Sequence, residues 1–281
     1  MWSSSPIASR CGRSGVSAVG NADFDRAVAE FLNTIAAPGR PREPRLAHAL
    51  VDVAQVVVES PHGRLAAWRR GAGPAVLLVH GWQDDSSLWS PLIEELAARE
   101  RAVVAFDLPA HGFSEGEWAL MPEVADGVHA VVGGLGPIDA VVTHSMSAGG
   151  VVLAVHEGLV ADRLAFVAPP LRAGRHERWW RYAERFGVPD AVVRVAIEAF
   201  EHRIGTERAH FEFFEVLQSL DVSVLIAHSR ADERNPYSGS AELVPQCRQA
   251  ELFTVDGLTH RRTARDPAVV ARVADFVTTA T

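Results

Sequence analysis

The chain has 281 residues, of which 48% are hydrophobic, and it carries 27 basic and 35 acidic residues for a net charge of −8. A chain of this length and hydrophobic content builds a buried core without disulfides or metals. The acidic balance argues against a nucleic-acid partner and against binding to an anionic membrane surface. No lysine is present, so every basic residue is an arginine and catalysis by lysine is excluded.

The two cysteines, Cys11 and Cys247, belong to no Cys-x-x-Cys motif and to no Cys/His cluster with metal-ligand spacing. The sequence therefore predicts neither a metal site nor a disulfide framework, and a reducing, cytoplasmic compartment is the default. The longest hydrophobic runs, such as Ala75–Val79 and Val151–Val155, are far shorter than the roughly 18 residues of a membrane span. No membrane-spanning segment is expected.

The first 22 residues are predicted to form a disordered tail. This segment is rich in serine and arginine, as transit peptides are, but it lacks the clean amphipathic face that such peptides have. Hydrophobic residues at helical spacing then predict an amphipathic helix over Asp23–Ile35. A stretch rich in proline and arginine follows from Pro38 to Pro44. Residues 23–50 are thus expected to be a helix and a linker.

From Val51 onward, short hydrophobic strands alternate with helical segments. Val53–Glu59 and Arg64–Arg70 have a period of two and predict a hairpin. The strands predicted after it are Ala75–Val79, Ala102–Phe106, Ile138–Thr143, Leu164–Val167, Val222–Ala227 and Glu251–Val255. The helices predicted between or after them are Ser87–Arg99, Glu123–Val132, Ala148–Glu157, Ser240–Val244 and Pro267–Val277. This alternation predicts an α/β fold with a doubly wound, mostly parallel sheet.

Residues 171–217 interrupt the alternation and are charged, aromatic and mostly helical in pattern. They predict a helical cap inserted late into one α/β core, which consists of residues 51–170 and 218–281. The aromatic residues of this segment either line an acyl pocket or form its own core: Trp179, Trp180, Phe186, Phe211, Phe213 and Phe214. Its regularly spaced arginines form either a solvated face or a site for an acidic substrate group: Arg172, Arg175, Arg178, Arg181 and Arg185.

Reactive side chains follow three of the predicted strands, at the ends where parallel sheets collect function. Ser145 lies at the apex of a strand–turn–helix, where free N–H groups favour a developing negative charge. Asp232 and His260 follow the last two strands. A serine hydroxyl needs a base within reach, and that base needs a carboxylate to orient it. The sheet itself is expected to bring the three residues together.

Five segments together carry a resemblance to a known family: His80-Gly81-Trp82, the Asp107–Ser114 loop, the turn around Ser145, the Asp232 segment ending at Pro236, and the Gly257–His260 segment. On these motifs the chain resembles the α/β-hydrolase superfamily over roughly residues 51–279. The resemblance implies Ser145 as nucleophile, His260 as general base and Asp232 as the orienting acid. It also implies oxyanion donors from the backbone N–H groups of Trp82 and Met146 and a reaction without a cofactor.

The turn around Ser145 departs from the usual Gly-x-Ser-x-Gly pattern, because Thr143 and Ser147 replace both glycines. Gly149 and Gly150 are expected to relieve the resulting crowding. The most consistent interpretation is a working variant of this turn, and the alternative is a ligand-binding homologue without activity.

Other assignments concern the surroundings of these residues. Glu233 and Asp256 are rivals of Asp232 for the role of the acid. Asp84 and Asp85 are interpreted as a helix-capping pair. The loop histidines His80, His111 and His144 are interpreted as residues without a metal. The substrate pocket is expected to include His80, Trp179, Trp180 and Phe186.

The expected function is hydrolysis of a small-molecule carboxylic ester, or a thioester, through an acyl-enzyme. Carbon–carbon bond hydrolysis, lyase chemistry and perhydrolase chemistry use the same three side chains and remain alternatives. The serine argues against haloalkane dehalogenases and epoxide hydrolases, which carry an aspartate at this position.

Overall fold

A computed structural model describes residues 22–39, 45–171 and 176–279. Residues 1–21 of the predicted tail, with Cys11, and residues 40–44 of the predicted proline- and arginine-rich stretch lie outside these ranges, as do Arg172 and Arg175. The chain forms an eight-stranded sheet with helices on both faces, as the alternating pattern predicts. No helix in the described ranges combines the length and hydrophobicity needed to cross a membrane.

The strands follow the predicted order. They are β1 (Gln55–Ser60), β2 (Gly63–Arg70), β3 (Ala75–Val79), β4 (Ala102–Phe106), β5 (Ile138–His144), β6 (Arg163–Val167), β7 (Ser223–Ser229) and β8 (Ala250–Val255). Their order across the sheet is β1-β2-β4-β3-β5-β6-β7-β8. β2 runs antiparallel to both of its neighbours, and every other pairing is parallel. The carboxyl ends of β3 to β8 therefore lie along one edge.

The α-helices are α1 (Ala22–Ala36), α2 (Ser90–Ala98), α3 (Met121–Leu135), α4 (Ser147–His156), α5 (Glu177–Phe186), α6 (Asp190–Ile204), α7 (Thr206–Ala209), α8 (Phe213–Ser219), α9 (Tyr237–Leu243), α10 (His260–Thr263) and α11 (Pro267–Thr278). The helix predicted to begin at Ser87 is divided into a short 3-10 segment, Ser86–Trp89, and α2. The Asp85 carboxylate caps the first segment by accepting from the Ser87 N–H group.

Each central strand divides its side chains between two hydrophobic layers. In β3, Leu77 and Val79 pack with residues of α3 and α4, whereas Val76 and Leu78 pack with residues of α2 and α11. A strand covered on both faces is hydrophobic at every position, which explains the uninterrupted run in the sequence. β2 differs from its predicted alternation, because Leu65–Trp68 are all buried. It lies between β1 and β4 and is covered on both faces.

The four helices α5 to α8 lie between β6 and β7 and are called the insertion below. Helix α1 packs against this insertion, and both contribute to one hydrophobic cluster. The Phe31 ring lies 6.1 Å from the rings of Trp179 and Tyr182, measured between centroids. The amphipathic pattern of α1 predicts the helix and its buried face, but it does not indicate this partner.

Candidate active site

The turn after β5 holds Ser145 in an unusual backbone conformation. Its φ angle is +60°, in the left-handed region that non-glycine residues rarely adopt. The Ser145 N–H group donates to the carbonyl oxygen of Val167 at 2.9 Å, and α4 begins two residues later. Such strain is typical of functional turns that present a nucleophile between a strand and a helix.

The two residues that replace the elbow glycines are accommodated differently. The Ser147 hydroxyl lies 2.8 Å from the carbonyl oxygen of His144 and 3.1 Å from that of Val79, so its one proton is shared between the turn and the end of β3. Thr143 is buried, and its hydroxyl has no hydrogen-bond partner in the described part of the chain. The strand–turn–helix around Ser145 therefore forms with Thr143 and Ser147 in place of the two glycines.

Gly149 and Gly150 lie against α3 and not against the residues of the turn. A Cβ atom at Gly150 would lie 2.5 Å from the Val124 side chain, and one at Gly149 would lie 2.6 Å from Met121 Sδ. Both neighbours belong to α3. The expectation that these glycines relieve crowding at the turn is wrong, because they permit α4 to pack closely on α3.

Asp232 and His260 form a hydrogen-bonded pair at the ends of β7 and β8. The His260 Nδ1–H group donates to Asp232 Oδ2 at 2.8 Å. The other carboxylate oxygen accepts from the N–H groups of Arg234 and Asn235, at 2.8 and 2.9 Å. Burial acts to raise the pKa of Asp232, but hydrogen bonds from His228, His260 and the Asn235 N–H group outweigh it and hold that pKa well below its ordinary value. The carboxylate is thus ionised at neutral pH.

The same contacts decide between the three candidate acids. Glu233 accepts from the backbone N–H group of His260 at 2.9 Å and does not contact the imidazole Nδ1. Asp256 is exposed and pairs with Arg230 at 3.0 Å. Among the three, Asp232 is the carboxylate that orients the His260 ring.

A second histidine, His228, holds the same carboxylate and is not distinguished by any sequence motif. Its Nε2 atom lies 3.3 Å from Asp232 Oδ2 and 3.1 Å from the Asn235 carbonyl oxygen. Since both neighbours are acceptors, Nε2 carries the proton, and Nδ1 accepts from the Ser240 hydroxyl at 2.7 Å. His228 is fully buried at the end of β7, where a sequence pattern shows only another strand residue.

The loop after β3 approaches Ser145 closely because its second residue is a glycine. A Cβ atom at Gly81 would lie 2.8 Å from His144 Nδ1 and 3.1 Å from Ser145 Cβ. The next residue, Trp82, lines the cavity that contains Ser145, as does Met146. Within the described residues, neither the Trp82 nor the Met146 backbone N–H group donates to a protein acceptor. Both N–H donors therefore belong to residues that line the same cavity as Ser145.

His80 does not line this cavity, so its assignment to the substrate pocket is wrong. It is fully buried, and its Nε2 atom accepts from the Leu108 N–H group at 3.0 Å. Its Nδ1–H group therefore donates to the Gly81 carbonyl oxygen at 2.8 Å. His111 similarly accepts from the Gln83 N–H group at 3.0 Å. Both side chains hold loop backbone in position.

His144 lies directly beside His260. Their ring centroids are 4.6 Å apart, and the His144 Nε2–H group donates to the His260 carbonyl oxygen at 3.3 Å. Burial, with a smaller effect from His260, lowers the pKa of His144 to about 3, so this imidazole is neutral. Across the described ranges, no group of three or more His, Cys, Asp or Glu side chains is arranged to hold a metal ion.

Asp84 joins the loop after β3 to the helix that carries His260. Its carboxylate accepts two hydrogen bonds from Arg261, at 2.7 and 2.8 Å. The predicted capping pair is therefore only half right, because Asp85 caps a helix and Asp84 forms this ion pair. Since Arg261 follows His260 directly, the pair fixes the loop containing Trp82 relative to the histidine.

Two adjoining cavities lie at this edge of the sheet. Ser145 and His260 line the first, of about 470 Å³, which is called the serine cavity below. The second, of about 180 Å³, is lined mainly by hydrophobic side chains of α3, α4 and the insertion, and is called the apolar cavity. The residues that line both cavities are Met146, Pro170 and Arg178.

The aromatic residues of the insertion separate into two groups. Trp179, Phe211 and Phe213 line the apolar cavity. Trp180 and Phe186 line neither of the two cavities, so their assignment to the substrate pocket is wrong. Phe186 is 58% exposed and stacks on Tyr182, with the ring centroids 4.4 Å apart. A helix buries only one of its faces, and this face contains Trp179.

Asn235 is a polar group at the site that sequence reasoning missed. Its Nδ2 atom donates to the Ala168 carbonyl oxygen at 2.7 Å and lies 3.5 Å from Ser145 Oγ. The only signal for it is its place in the loop after β7, three residues beyond Asp232.

Comparison with known proteins agrees with this architecture. The model of the alpha/beta hydrolase family matches residues 76–279. The chain belongs to the α/β hydrolase family. This α/β hydrolase is 30% identical over 171 residues to a protein of Xanthomonas campestris pv. campestris named pimeloyl-[acyl-carrier protein] methyl ester esterase, and the match spans 59% of each chain.

Solved structures of esterases share the fold. A thermophilic esterase from Thermogutta terrifontis superposes with a TM-score of 0.63 at 19% identity, covering 80% of this chain and all of that one. An esterase from Pyrococcus furiosus superposes with a TM-score of 0.64 at 18% identity, covering 86% of this chain and 97% of its own.

Proposed function

We propose that this α/β hydrolase cleaves a carboxylic ester through an acyl-enzyme formed on Ser145. The observation that carries the proposal is the hydrogen bond of 2.8 Å between His260 and the solvent-inaccessible side chain of Asp232, made beside the cavity that Ser145 and His260 line. Relatives and structural neighbours that are named esterases support it. Because the relatives are named for a methyl ester, an oxygen ester is favoured over a thioester.

In this mechanism, Ser145 Oγ attacks the ester carbonyl carbon while His260 Nε2 takes the hydroxyl proton. The ionised Asp232 keeps the proton on Nδ1 and stabilises the imidazolium ion. The backbone N–H groups of Trp82 and Met146 donate to the developing oxyanion. His260 then protonates the leaving alcohol and activates a water molecule, which hydrolyses the acyl-enzyme and restores the serine.

The apolar cavity is proposed to hold the hydrocarbon part of the substrate. It adjoins the serine cavity at Met146, the residue that follows the nucleophile. The insertion covers this edge of the sheet and, together with α1, acts as a cap that restricts the entry of water.

A ligand-binding protein without activity is the alternative that the altered elbow motivates. Two observations favour the enzyme instead. Ser145 retains the strained φ of a nucleophile turn, and the Ser147 hydroxyl is satisfied by backbone carbonyls. A turn held in this way presents the serine without the two glycines.

Labelling with a fluorophosphonate tests the proposal. Intact mass and peptide mapping are expected to show one adduct on Ser145, which is absent in Ser145→Ala and present in Ser238→Ala, a change at an exposed serine of α9. The labelled protein should lose hydrolysis of 4-nitrophenyl butanoate in proportion to the adduct. A protein that is folded by circular dichroism, unlabelled and inactive on esters would overturn the proposal.

A further inference from the structure

The serine cavity has a charge opposite to that of the chain. The whole sequence carries a net charge of −8. By contrast, the cavity is lined by four arginines and two carboxylates: Arg178, Arg181, Arg234, Arg261, Asp84 and Glu233. A cavity with an excess of cationic side chains raises the local concentration of anions.

Two of these arginines are already paired with carboxylates. Arg261 makes two hydrogen bonds to Asp84, and Arg181 lies 3.5 Å from Glu177. Arg178 and Arg234 have no carboxylate within ion-pair distance among the described residues. Their positive charges are therefore available to a ligand.

Arg178 is held in place although it lacks an acidic partner. Its guanidinium group lies over the Trp82 ring, 4.2 Å from the centroid, and donates to the Ile35 carbonyl oxygen at 3.4 Å. Trp82 is also a proposed oxyanion donor, so this cation is fixed next to the reaction centre. A preorganised guanidinium loses less conformational freedom when it binds an anion than a mobile one does.

Arg234 is positioned by the loop after β7. Its backbone N–H group donates to Asp232 Oδ1 at 2.8 Å, and its side chain is exposed and lines the cavity.

Arg185 lies on α5, as Arg178 does, but it lines neither cavity and lies beside Phe186. The arginines of α5 thus differ in role, and only part of this face is plain solvated surface.

We propose that the ester cleaved at Ser145 carries an anionic group, a carboxylate or a phosphate, which binds to Arg178 and Arg234. This inference rests on the proposed esterase function and names its substrate class. The guanidinium groups donate charge-assisted hydrogen bonds to the anion, while the hydrocarbon part lies in the adjoining apolar cavity. Arg178 lines both cavities and marks the boundary between the two parts of the substrate.

Paired esters that differ only in charge test the proposal by kinetics. One pair places the charge in the acyl part: 4-nitrophenyl glutarate with a free carboxylate, and its neutral carboxamide counterpart. The other places it in the alcohol part: the butanoate esters of 3-carboxy-4-nitrophenol and of 4-nitrophenol. In at least one pair, the charged-to-neutral ratio of kcat/KM is expected to fall about tenfold in Arg178→Gln and in Arg234→Gln, and further in the double variant.

The matched control is Arg185→Gln, which removes an equal charge from the same helix and should leave the ratio within about twofold of the parent. Each neutral ester reports on folding and chemistry, so a general loss of activity cancels from the ratio. Ratios that stay within about twofold in both pairs for the double variant would overturn the proposal.

Binding measured without turnover separates this proposal from the esterase function. Calorimetry on Ser145→Ala is expected to show saturable binding of glutarate or of phenyl phosphate, and the better ligand identifies the anion as carboxylate or phosphate. Adding Arg178→Gln and Arg234→Gln should abolish that binding. Binding without ester hydrolysis would retain the anion site and reject the esterase. Hydrolysis of neutral esters with no anion binding would retain the esterase and reject the anion site.

Discussion

The loops at the strand ends and the helical insertion build the two halves of this site in different ways. Ser145, Asp232 and His260 come from the loops after β5, β7 and β8, and polar contacts such as the 2.8 Å bond between His260 and Asp232 hold them. The walls of the apolar cavity come largely from the insertion, which hydrophobic contacts with α1 hold. Sheet topology thus places the reactive groups, whereas packing between distant helices shapes the space around them.

Because the two halves depend on different forces, mutations in them should have different consequences. Changes of the reactive side chains Ser145 and His260 should affect mainly the chemical step. Changes in the insertion or in α1 should affect stability and the choice of substrate.

The largest effect is expected at the acid. In Asp232→Asn, kcat/KM for 4-nitrophenyl butanoate should fall about 10³- to 10⁴-fold, because the amide does not stabilise the imidazolium and favours the wrong tautomer. Asp256→Asn, a change at the exposed rival acid, should leave kcat/KM within about twofold of the parent value. Equal losses in the two variants would contradict the assignment of Asp232.

The next largest effect concerns the contact between α1 and the insertion. Phe31 is 4% exposed, and Phe31→Ala should lower the free energy of unfolding by about 3 kcal/mol through lost burial and a new cavity. Urea denaturation measures the change. Leu32→Ala removes a partly buried side chain of the same helix and should cost about 1 kcal/mol. Equal stability of Phe31→Ala and the parent would show that α1 does not hold the insertion.

The buried His144 should make the protein less stable in acid. Its folded pKa of about 3 lies below the ordinary value of 6.5, so between these values the unfolded chain binds a proton that the folded chain does not. The contribution of His144 to the free energy of unfolding is therefore fully present above pH 6.5. It falls as the pH drops toward 3, by at most about 1.4 kcal/mol per pH unit.

The lowered pKa of Asp232 acts in the same direction, but only below its ordinary value of 3.8. Urea denaturation between about pH 7 and about pH 5 therefore avoids the titration of Asp232, and a comparison with His144→Gln over this range reports on the histidine. We expect a shallower pH dependence in His144→Gln than in the parent. Identical slopes would contradict a buried neutral imidazole at this position.

The smallest effect is expected on the selectivity for the length of the acyl chain. Ala209 lines the apolar cavity, and Ala209→Phe should lower kcat/KM for 4-nitrophenyl hexanoate about tenfold relative to the acetate, because the added ring occupies the space of the longer chain. Ala191→Phe adds the same ring at an exposed position of α6 and should leave this ratio unchanged. An unaltered ratio in Ala209→Phe would mean that the cavity does not hold the acyl chain.

Most of the sheet, and the placement of Ser145, Asp232 and His260 at its edge, could be predicted from the sequence, because both follow from local patterns. A run such as Ala75–Val79 indicates a strand covered on both faces, and a reactive residue after a parallel strand lies at the carboxyl edge of the sheet. The choice among Asp232, Glu233 and Asp256 required coordinates. All three are close in sequence to the last two strands, and only the direction of each side chain distinguishes them.

The sequence by itself determined the alternation of strands and helices along the core, the buried face of α1, and the loops that carry the reactive side chains, since each depends on neighbouring residues along the chain. Only the tertiary structure decided which groups those side chains meet. The contacts of His228 with Asp232, Asp84 with Arg261, Gly150 with Val124 and α1 with the insertion join segments through side-chain direction and close packing. The periodicity of one segment gives its own secondary structure and buried face. It does not say which other segment lies against it, and these contacts between distant segments shape the site.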